Sequence, residues 1–418
     1  MIIHLYEHFV SKKKCGERMS TSKRLKIIRA TTVPMSLNAF CCGMLKELSG
    51  MYDVVALSSP GEELNEVAER EGINVIAVPM ERHISLWRDL KALICIIGVF
   101  RREKPAMVHS MTPKAGLLCM IAGWLTKVPV RVHTFTGLVW PTEIGLKRKI
   151  LMATDWLTCA CATHVIPEGE GVKNDLVKGK ITKKTLKVLG YGNVRGVDME
   201  YYSQARVGDS LLKSDLLAKK GNSFTFLFVG RIVRDKGINE LCQAFVKFHE
   251  SHPDSRLWLV GRFEDELDPV SEDTRTLIEN KKSGIEAVGE KRGEELLVYY
   301  AVADCFVMPS YREGFPNTVI EAGAMGLPSI VTDINGSREI ITDGENGLIV
   351  PPRDEEHLFN AMQLMMQSND DRVRMAGAAR KMIADRFEQG FVRKCLYDYY
   401  DEILKSSPRL EQDILVRK

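Results

Sequence analysis

This sequence lacks the usual devices for holding a metal. Its 10 cysteines include no Cys-x-x-Cys pair, and there is no His-Glu-x-x-His and no Asp-x-Asp. Zinc clusters and a carboxylate clamp for a metal diphosphate therefore have no signature here. Only Cys41 and Cys42 are adjacent, and Cys159 and Cys161 lie one residue apart. The pattern is that of reduced, mostly buried thiols in a cytosolic protein. No Gly-x-Gly-x-x-Gly follows a strand-like run, and no Gly-x-x-x-x-Gly-Lys-Ser/Thr occurs. This argues against a nicotinamide dehydrogenase and a P-loop nucleotidase. The longest apolar runs, Ala92–Phe100 and Ala115–Leu125, fall short of the ~20 residues that span a bilayer and read as buried helices. The start has a short, broken apolar stretch and no small-residue cleavage site. Regular patterning begins at Lys23, just after Met19, so 1–22 is expected to be a disordered tail or an upstream start.

What is present fits two globular domains: 418 residues, 45% hydrophobic and 27% charged. The net charge of +3 is unevenly spread. Through Arg195 there are 29 basic and 17 acidic residues, against 58 and 55 in the whole chain, so the first part carries +12 and the remainder −9. The basic part is not interleaved with aromatics, and nucleic acid is not expected as a partner. An anionic membrane surface or a phosphate-bearing acceptor fits the charge, as do two solvated surfaces that happen to differ.

Twelve strand-like runs alternate with helical patterns. Six, from "LKIIRATT" to "THVIPE", precede a turn-rich stretch at 190–202 that reads as a linker, and six more, from "SFTFLFVGR" to "GLIVPP", follow it. The alternation predicts an α/β protein of two doubly wound, Rossmann-like domains, 23–195 and 203–388, with parallel sheets and a cleft between them. Ligands in such sheets sit beyond the C-terminal strand ends.

Three elements carry chemistry. In "FLFVGRIVRDKGI", Arg231 and Lys236 follow a strand end, where two cations can hold a diphosphate; taken alone, they read as two ordinary surface cations at a helix entry. In "MPSYREGFPNTVIEAGAMGLPSIVTD", Glu313 and Glu321 bracket a loop and a helix that Asn317 is placed to cap. A helix start beside two carboxylates suits an anion that also carries hydroxyls, such as a nucleotide sugar with its two diols. Taken alone, Glu321 reads as a helix-capping or solvated carboxylate. In "VHTFTGLVW", His133 ends a strand and could orient a hydroxyl or handle a proton; His109 occupies the equivalent place in "AMVHSM".

Together these residues resemble the retaining glycosyltransferases of family 4, of GT-B fold, and in particular members that build bacterial capsule and O-antigen chains. "EGFPNTVIE" matches the family's Glu-x7-Glu motif and "GRIVRDKGI" its phosphate-binding Arg and Lys. "MVHSMTPKAGLLCMIAGWLTKVPVRVHTFTGLVW" is similar to its acceptor-side half, and "ADRFEQGFVRKCLYDYYDEIL" to its last helix, expected at 389–406 and crossing back to the first domain. The resemblance spans about Lys23 to Leu404.

It implies transfer of a hexose or N-acetylhexosamine from a nucleotide diphosphate sugar, most simply a UDP-sugar, without metal or other cofactor. The implied acceptor is a polyprenyl-diphosphate-linked glycan at the inner face of the cytoplasmic membrane. Glu313 would hold the donor sugar and Glu321 the ribose. Arg231 and Lys236 would neutralise the diphosphate. The segment Gly314, Phe315, Pro316, Asn317 and Thr318 would present backbone amides to the sugar and β-phosphate, and His133 would sit over the donor sugar. Many relatives carry a glycine pair in the first βα loop; here that loop is "TTVPMSLNAF". A GT-B-type nucleotide-sugar 2-epimerase and a non-catalytic partner subunit are the alternatives.

Overall fold

The structure, a computed structural model, describes residues 24–81, 85–266, 268–408 and 410; the expected tail at 1–22 lies outside them. The chain divides into two compact units. Unit 1 comprises the residues up to Glu168, Val172–Leu189 and those from Arg393 onward; unit 2 comprises Gly169–Gly171 and Gly190–Val392.

In unit 1 the six anticipated runs form β1 (Lys26–Ala30), β2 (Asp53–Ser58), β3 (Asn74–Ala77), β4 (Met107–Ser110), β5 (Val130–Phe135) and β6 (His164–Pro167). They pair in parallel in the order β3-β2-β1-β4-β5-β6. Unit 2 repeats the arrangement with β7 (Phe224–Val229), β8 (Ser255–Val260), β9 (Ile285–Gly289), β10 (Cys305–Met308), β11 (Ser329–Thr332) and β12 (Gly347–Val350), ordered β12-β11-β10-β7-β8-β9. Helices cover both faces of such sheets, so central strands tend to be apolar on both faces rather than alternating. "FTFLFV" and "CFVM" are almost wholly buried for this reason. In each unit the first and fourth strands lie side by side, where the strand order reverses; that is where doubly wound sheets open a crevice at their C-terminal edge.

The two long apolar runs lie on the helices Leu86–Glu103 and Pro113–Leu125. The expectation of burial holds for only part of each run: Ile94 in the first and Trp124 and Leu125 at the end of the second are exposed. Ala92, Ile96, Val99 and Phe100 face the core, whereas Leu86, Trp87, Leu90 and Ile94 are exposed. A helix on one face of a sheet buries a single stripe, and the apolar run is wider than that stripe. The described cysteines are free and mostly buried, with Cys42 exposed.

The last helix, Gln389–Lys405, delivers Tyr400 to the interior of unit 1. There Arg29 of β1 is fully buried and donates to the Tyr400 hydroxyl and to His109 Nδ1, the latter at 2.6 Å. With Nδ1 accepting, His109 Nε2 carries the proton and donates to Thr134 Oγ1 at 2.7 Å.

The stretch 190–202, read from sequence as a linker, belongs to unit 2. Asn193, at φ 62°, uses its side-chain oxygen to accept from the amides of Arg195 (2.9 Å) and Gly196 (2.6 Å). Gly196, at φ 68°, lies so close to Gln389 that a Cβ would come within 2.5 Å of the Gln389 Cα. Turn residues marked this segment as irregular, but its own hydrogen bonds fix it.

Candidate functional site

The switch point of unit 2 lies between β7 and β10, which pair through Cys305 with Phe226 and Phe306 with Leu227. The loops leaving these two strands carry the expected residues. After β7, the chain passes Gly230 and Arg231 into a short 3-10 turn, Arg234–Lys236, closed by Gly237 at φ 69°. A Cβ on Gly237 would lie 2.0 Å from the Pro309 carbonyl oxygen, so only glycine permits this approach to the β10 loop. Across the contact, the Tyr311 amide donates to the Asp235 carbonyl at 2.9 Å. Arg312 donates twice to Asp235 Oδ2, at 3.0 and 2.8 Å. The outcome is an ion pair between Lys236 Nζ and Glu313 Oε1, both mostly buried. Two residues 77 apart in the chain are thus brought together.

Arg231 is half exposed and pairs with Glu264 at 2.6 Å. Its guanidinium is therefore already held at the strand end by a partner that sequence reasoning did not identify. Nothing near Glu264, in "GRFEDELD", marked it from sequence alone.

The loop Gly314–Pro316 leads into the helix Asn317–Ala324. The Phe315 side chain turns into the core and meets the Phe387 ring edge-on at 5.3 Å, which anchors the loop. Gly336, after β11, packs on the loop's other side. At φ 77°, a Cβ there would lie 2.5 Å from the Gly314 carbonyl oxygen. The expected cap does not form: Pro316 occupies the N-cap position and no side chain caps the helix. Asn317 instead accepts from Asn193 Nδ2 at 2.9 Å. The first amides of a helix have no intrahelical acceptor, and this start stays free of a side-chain competitor while a positive end faces the ion pair's loop. The Thr318 hydroxyl donates to Met308 Sδ at 3.4 Å.

Glu321 lies one turn further along and is buried. Arg195 reaches its Oε1 at 3.0 Å and the Tyr300 hydroxyl donates to Oε2 at 3.0 Å. Burial pushes the Tyr300 phenol well up, and the neighbouring Glu321 carboxylate pushes it further. Burial would lower Arg195, but Glu321 and Tyr202 reverse this and hold the guanidinium above its ordinary value. Glu321 is therefore an organised carboxylate fastened to the 190–202 segment, not a solvated one. A carboxylate has about four lone-pair sites, so a hydroxyl can still join these partners. Arg195, Tyr300 and Asn193 are the site residues that sequence reading missed; Arg195 and Asn193 stood inside the stretch taken for a linker.

His133 is in unit 1 and is buried. Its Nδ1 bonds Ser110 Oγ at 2.9 Å, its ring meets Phe135 edge-on at 4.5 Å, and a Cβ on Gly116 would strike it at 2.3 Å. Burial lowers its pKa to about 3. The imidazole is therefore neutral near pH 7 and does not trade protons there; what remains open to it is orientation through Nε2. In the first βα loop, Thr32 Oγ1 and Thr112 Oγ1 lie 2.7 Å apart, and the Ala115 amide donates to Thr32 Oγ1 at 3.2 Å. The loop then enters the helix Pro34–Cys41 with proline in its first turn.

Known families match both parts of the chain. The model of the glycosyl transferases group 1 matches residues 213–382, and that of the glycosyl transferase 4-like domain matches 38–192. The chain is 31% identical over 391 residues to the capsular polysaccharide biosynthesis glycosyltransferase CapM of Staphylococcus aureus, covering 92% of this chain and 99% of that one. It is 28% identical over 364 residues to the UDP-Gal:alpha-D-GlcNAc-diphosphoundecaprenol alpha-1,3-galactosyltransferase of Escherichia coli, covering 85% and 90%. Among solved structures, HepE of Anabaena in complex with UDP superposes with a TM-score of 0.74 at 16% identity, covering 91% of this chain and 100% of that one. The chain is a member of the family 4 glycosyltransferases of GT-B fold, a transferase of capsular polysaccharide and related glycan biosynthesis.

Proposed function

We propose that this enzyme moves a hexose or N-acetylhexosamine from a UDP-sugar to a lipid-diphosphate-linked glycan, with retention of anomeric configuration. The observation that carries the donor half is the Lys236–Glu313 ion pair at the β7/β10 switch point, beside a helix start that no side chain caps. Lys236 and Arg231 take the diphosphate and Glu313 the sugar hydroxyls, while the amides of Phe315 to Thr318 face the sugar and β-phosphate. Glu321, steadied by Arg195 and Tyr300, receives the ribose diol. The printed name of the Escherichia coli relative, a UDP-Gal transferase to a diphosphoundecaprenol-linked sugar, supports both donor and acceptor classes.

In the reaction the acceptor oxygen bonds to the anomeric carbon on the face the diphosphate leaves, the carbon–phosphate-oxygen bond breaks, and the acceptor proton passes to the departing β-phosphate. Arg231 and Lys236 stabilise the growing charge on that phosphate in place of a metal. The enzyme works in the cytoplasm, at the inner leaflet where such acceptors are built.

The test combines calorimetry of UDP and a panel of UDP-sugars with transfer to a synthetic polyprenyl-diphosphate sugar, with and without EDTA. Expected results are UDP release that requires acceptor, an α-anomeric product from an α-donor by NMR, and full activity in chelator. UDP release without acceptor would point to the epimerase chemistry. An inverted product, or activity lost to EDTA and restored by Mg²⁺, would overturn the mechanism.

A further inference from the structure

Unit 1 holds large apolar side chains in the open. Leu86 and Trp87 are 83% and 79% exposed, and Leu90 and Ile94 follow on the same helix. On the helix Gly145–Cys161 and the residue before it, Ile144 and Leu146 are 85% and 73% exposed, with Ile150 next. Isolated exposed leucines are ordinary, but runs of this kind mark a contact surface.

These residues share one end of the sheet. The helix Leu86–Glu103 links β3 to β4, and the helix Gly145–Cys161 links β5 to β6. The helix Pro113–Leu125 packs against both. Crossover helices between parallel strands run back along the sheet, so each begins near the strands' C-terminal edge. Residues 86–94 and 144–150 therefore gather near the edge where α/β sheets hold their ligands.

Basic residues stand between the apolar ones. The segments 85–94, 113–117 and 143–150 contain Arg88, Lys91, Lys114, Lys147, Arg148 and Lys149 against only Asp89 and Glu143. Three of these cations are engaged: Arg88 with Glu81 just upstream, the mostly buried Lys114 with Asp89 at 2.7 Å and Lys147 with Glu143 at 2.7 Å. Protein interfaces exclude lysine from their cores. Here lysines occupy the same turns as the exposed apolar residues, and their stems can lie along apolar material while the ammonium groups reach outward. Tryptophan and leucine flanked by Lys and Arg are the composition of a surface seated in the headgroup layer.

We propose that this edge of unit 1 inserts Leu86, Trp87, Ile144 and Leu146 into the interfacial layer of an anionic phospholipid leaflet, with the surrounding Lys and Arg on the headgroups. Insertion places the acceptor-side sheet edge at the membrane, where a lipid-linked sugar resides. Insertion deepens the proposed function by naming the surface that would meet the membrane of its lipid-linked acceptor, and the observations behind it are exposure and charge. It also separates apolar docking, which tolerates salt, from binding by charge alone, which does not.

The full chain is sedimented with phosphatidylglycerol and phosphatidylcholine vesicles at low and high salt, alongside Leu86→Gln/Trp87→Gln and Ile144→Gln/Leu146→Gln. Expected results are binding to phosphatidylglycerol, a fraction retained in high salt, and at least a tenfold loss of that fraction in either double variant. Subtracting the emission of Trp87→Phe from that of the wild type should reveal a blue shift on adding vesicles. Wild-type binding that vanishes in salt, or variants that bind as the wild type does, overturns insertion. So does a solution dimer that the variants dissolve, which would make a second copy the occupant. Calorimetry of UDP on the same proteins keeps the two readings apart: vesicle binding without UDP binding leaves this proposal standing and removes the donor-site reading.

Discussion

Lys236 and Glu313 pair across the loops that follow β7 and β10, and each is mostly withdrawn from solvent. A donor entering between these loops meets a cation and a carboxylate that already fix each other's position, so little ordering remains to be done on binding. Lys236→Ala and Arg231→Ala are each expected to weaken UDP binding by about 1.5–3 kcal/mol, the range for hydrogen bonds to charged groups, with the fold intact. Glu313→Gln is expected to keep UDP affinity and lose transfer. Calorimetry and a transfer assay check both; unchanged affinity in the two cation variants removes them from the diphosphate site.

Gly237→Ala should act on the same pair from a distance. The left-handed backbone costs a non-glycine residue about 1–2 kcal/mol, and the added Cβ has no room beside the Pro309 carbonyl. The turn that carries Lys236 must shift to relieve this. The expected outcome is a lower thermal midpoint together with weaker UDP binding, although residue 237 offers a ligand no side chain. A variant that is less stable but binds UDP normally would show that the turn is not what places Lys236.

Arg195→Met should leave Glu321 buried with only its tyrosine partners. Breaking a buried ion pair from one side costs about 3 kcal/mol, whereas replacing both partners is often near neutral. Denaturant midpoints should therefore fall for Arg195→Met and recover in Arg195→Met/Glu321→Gln. The double variant is still expected to bind UDP poorly, because the ribose carboxylate is gone. Recovery of stability and affinity together would deny Glu321 that role.

His133 gives unit 1 a pH dependence of known sign. Its folded pKa is about 3, against an ordinary value of 6.5. The unfolded chain therefore binds the proton first, and stability present above pH 6.5 is lost as pH falls toward 3. Between pH 7 and 5 one such histidine removes about 2 kcal/mol. His109, also lowered by burial and by Arg29 and His133, adds to the trend. Denaturation at the two pH values should show the loss, and His133→Asn should show less of it. A wild type equally stable at both would mean that the ring is hydrated.

Much of this protein could be read from the sequence because its signals are local. Most of the twelve strands are short, largely apolar runs, "FTFLFV" and "CFVM" above all, and parallel sheets buried on both faces make such runs conspicuous. The Glu313–Glu321 spacing and the Arg231 and Lys236 positions needed only a few residues of context. Arg195 and Asn193 were hidden because glycine-rich sequence reports irregular backbone, not whether that backbone is packed. Their partners, Glu321 and Asn317, lie more than 120 residues away. The expected Asn317 cap was lost to the same long-range bond. His133 looked reactive from its place at a strand end; only burial against Gly116 and Phe135 shows it to be held neutral.

Arg29 and Tyr400 touch although 371 residues separate them. The unit whose strands are made earlier is consequently the one finished later. Its sheet can assemble once β6 has emerged, but the buried guanidinium on β1 waits for the final helix, about 200 residues later. At 5–20 residues per second this delay lasts on the order of 10–40 s. Through that interval the nascent chain carries an arginine and a histidine under an unroofed core.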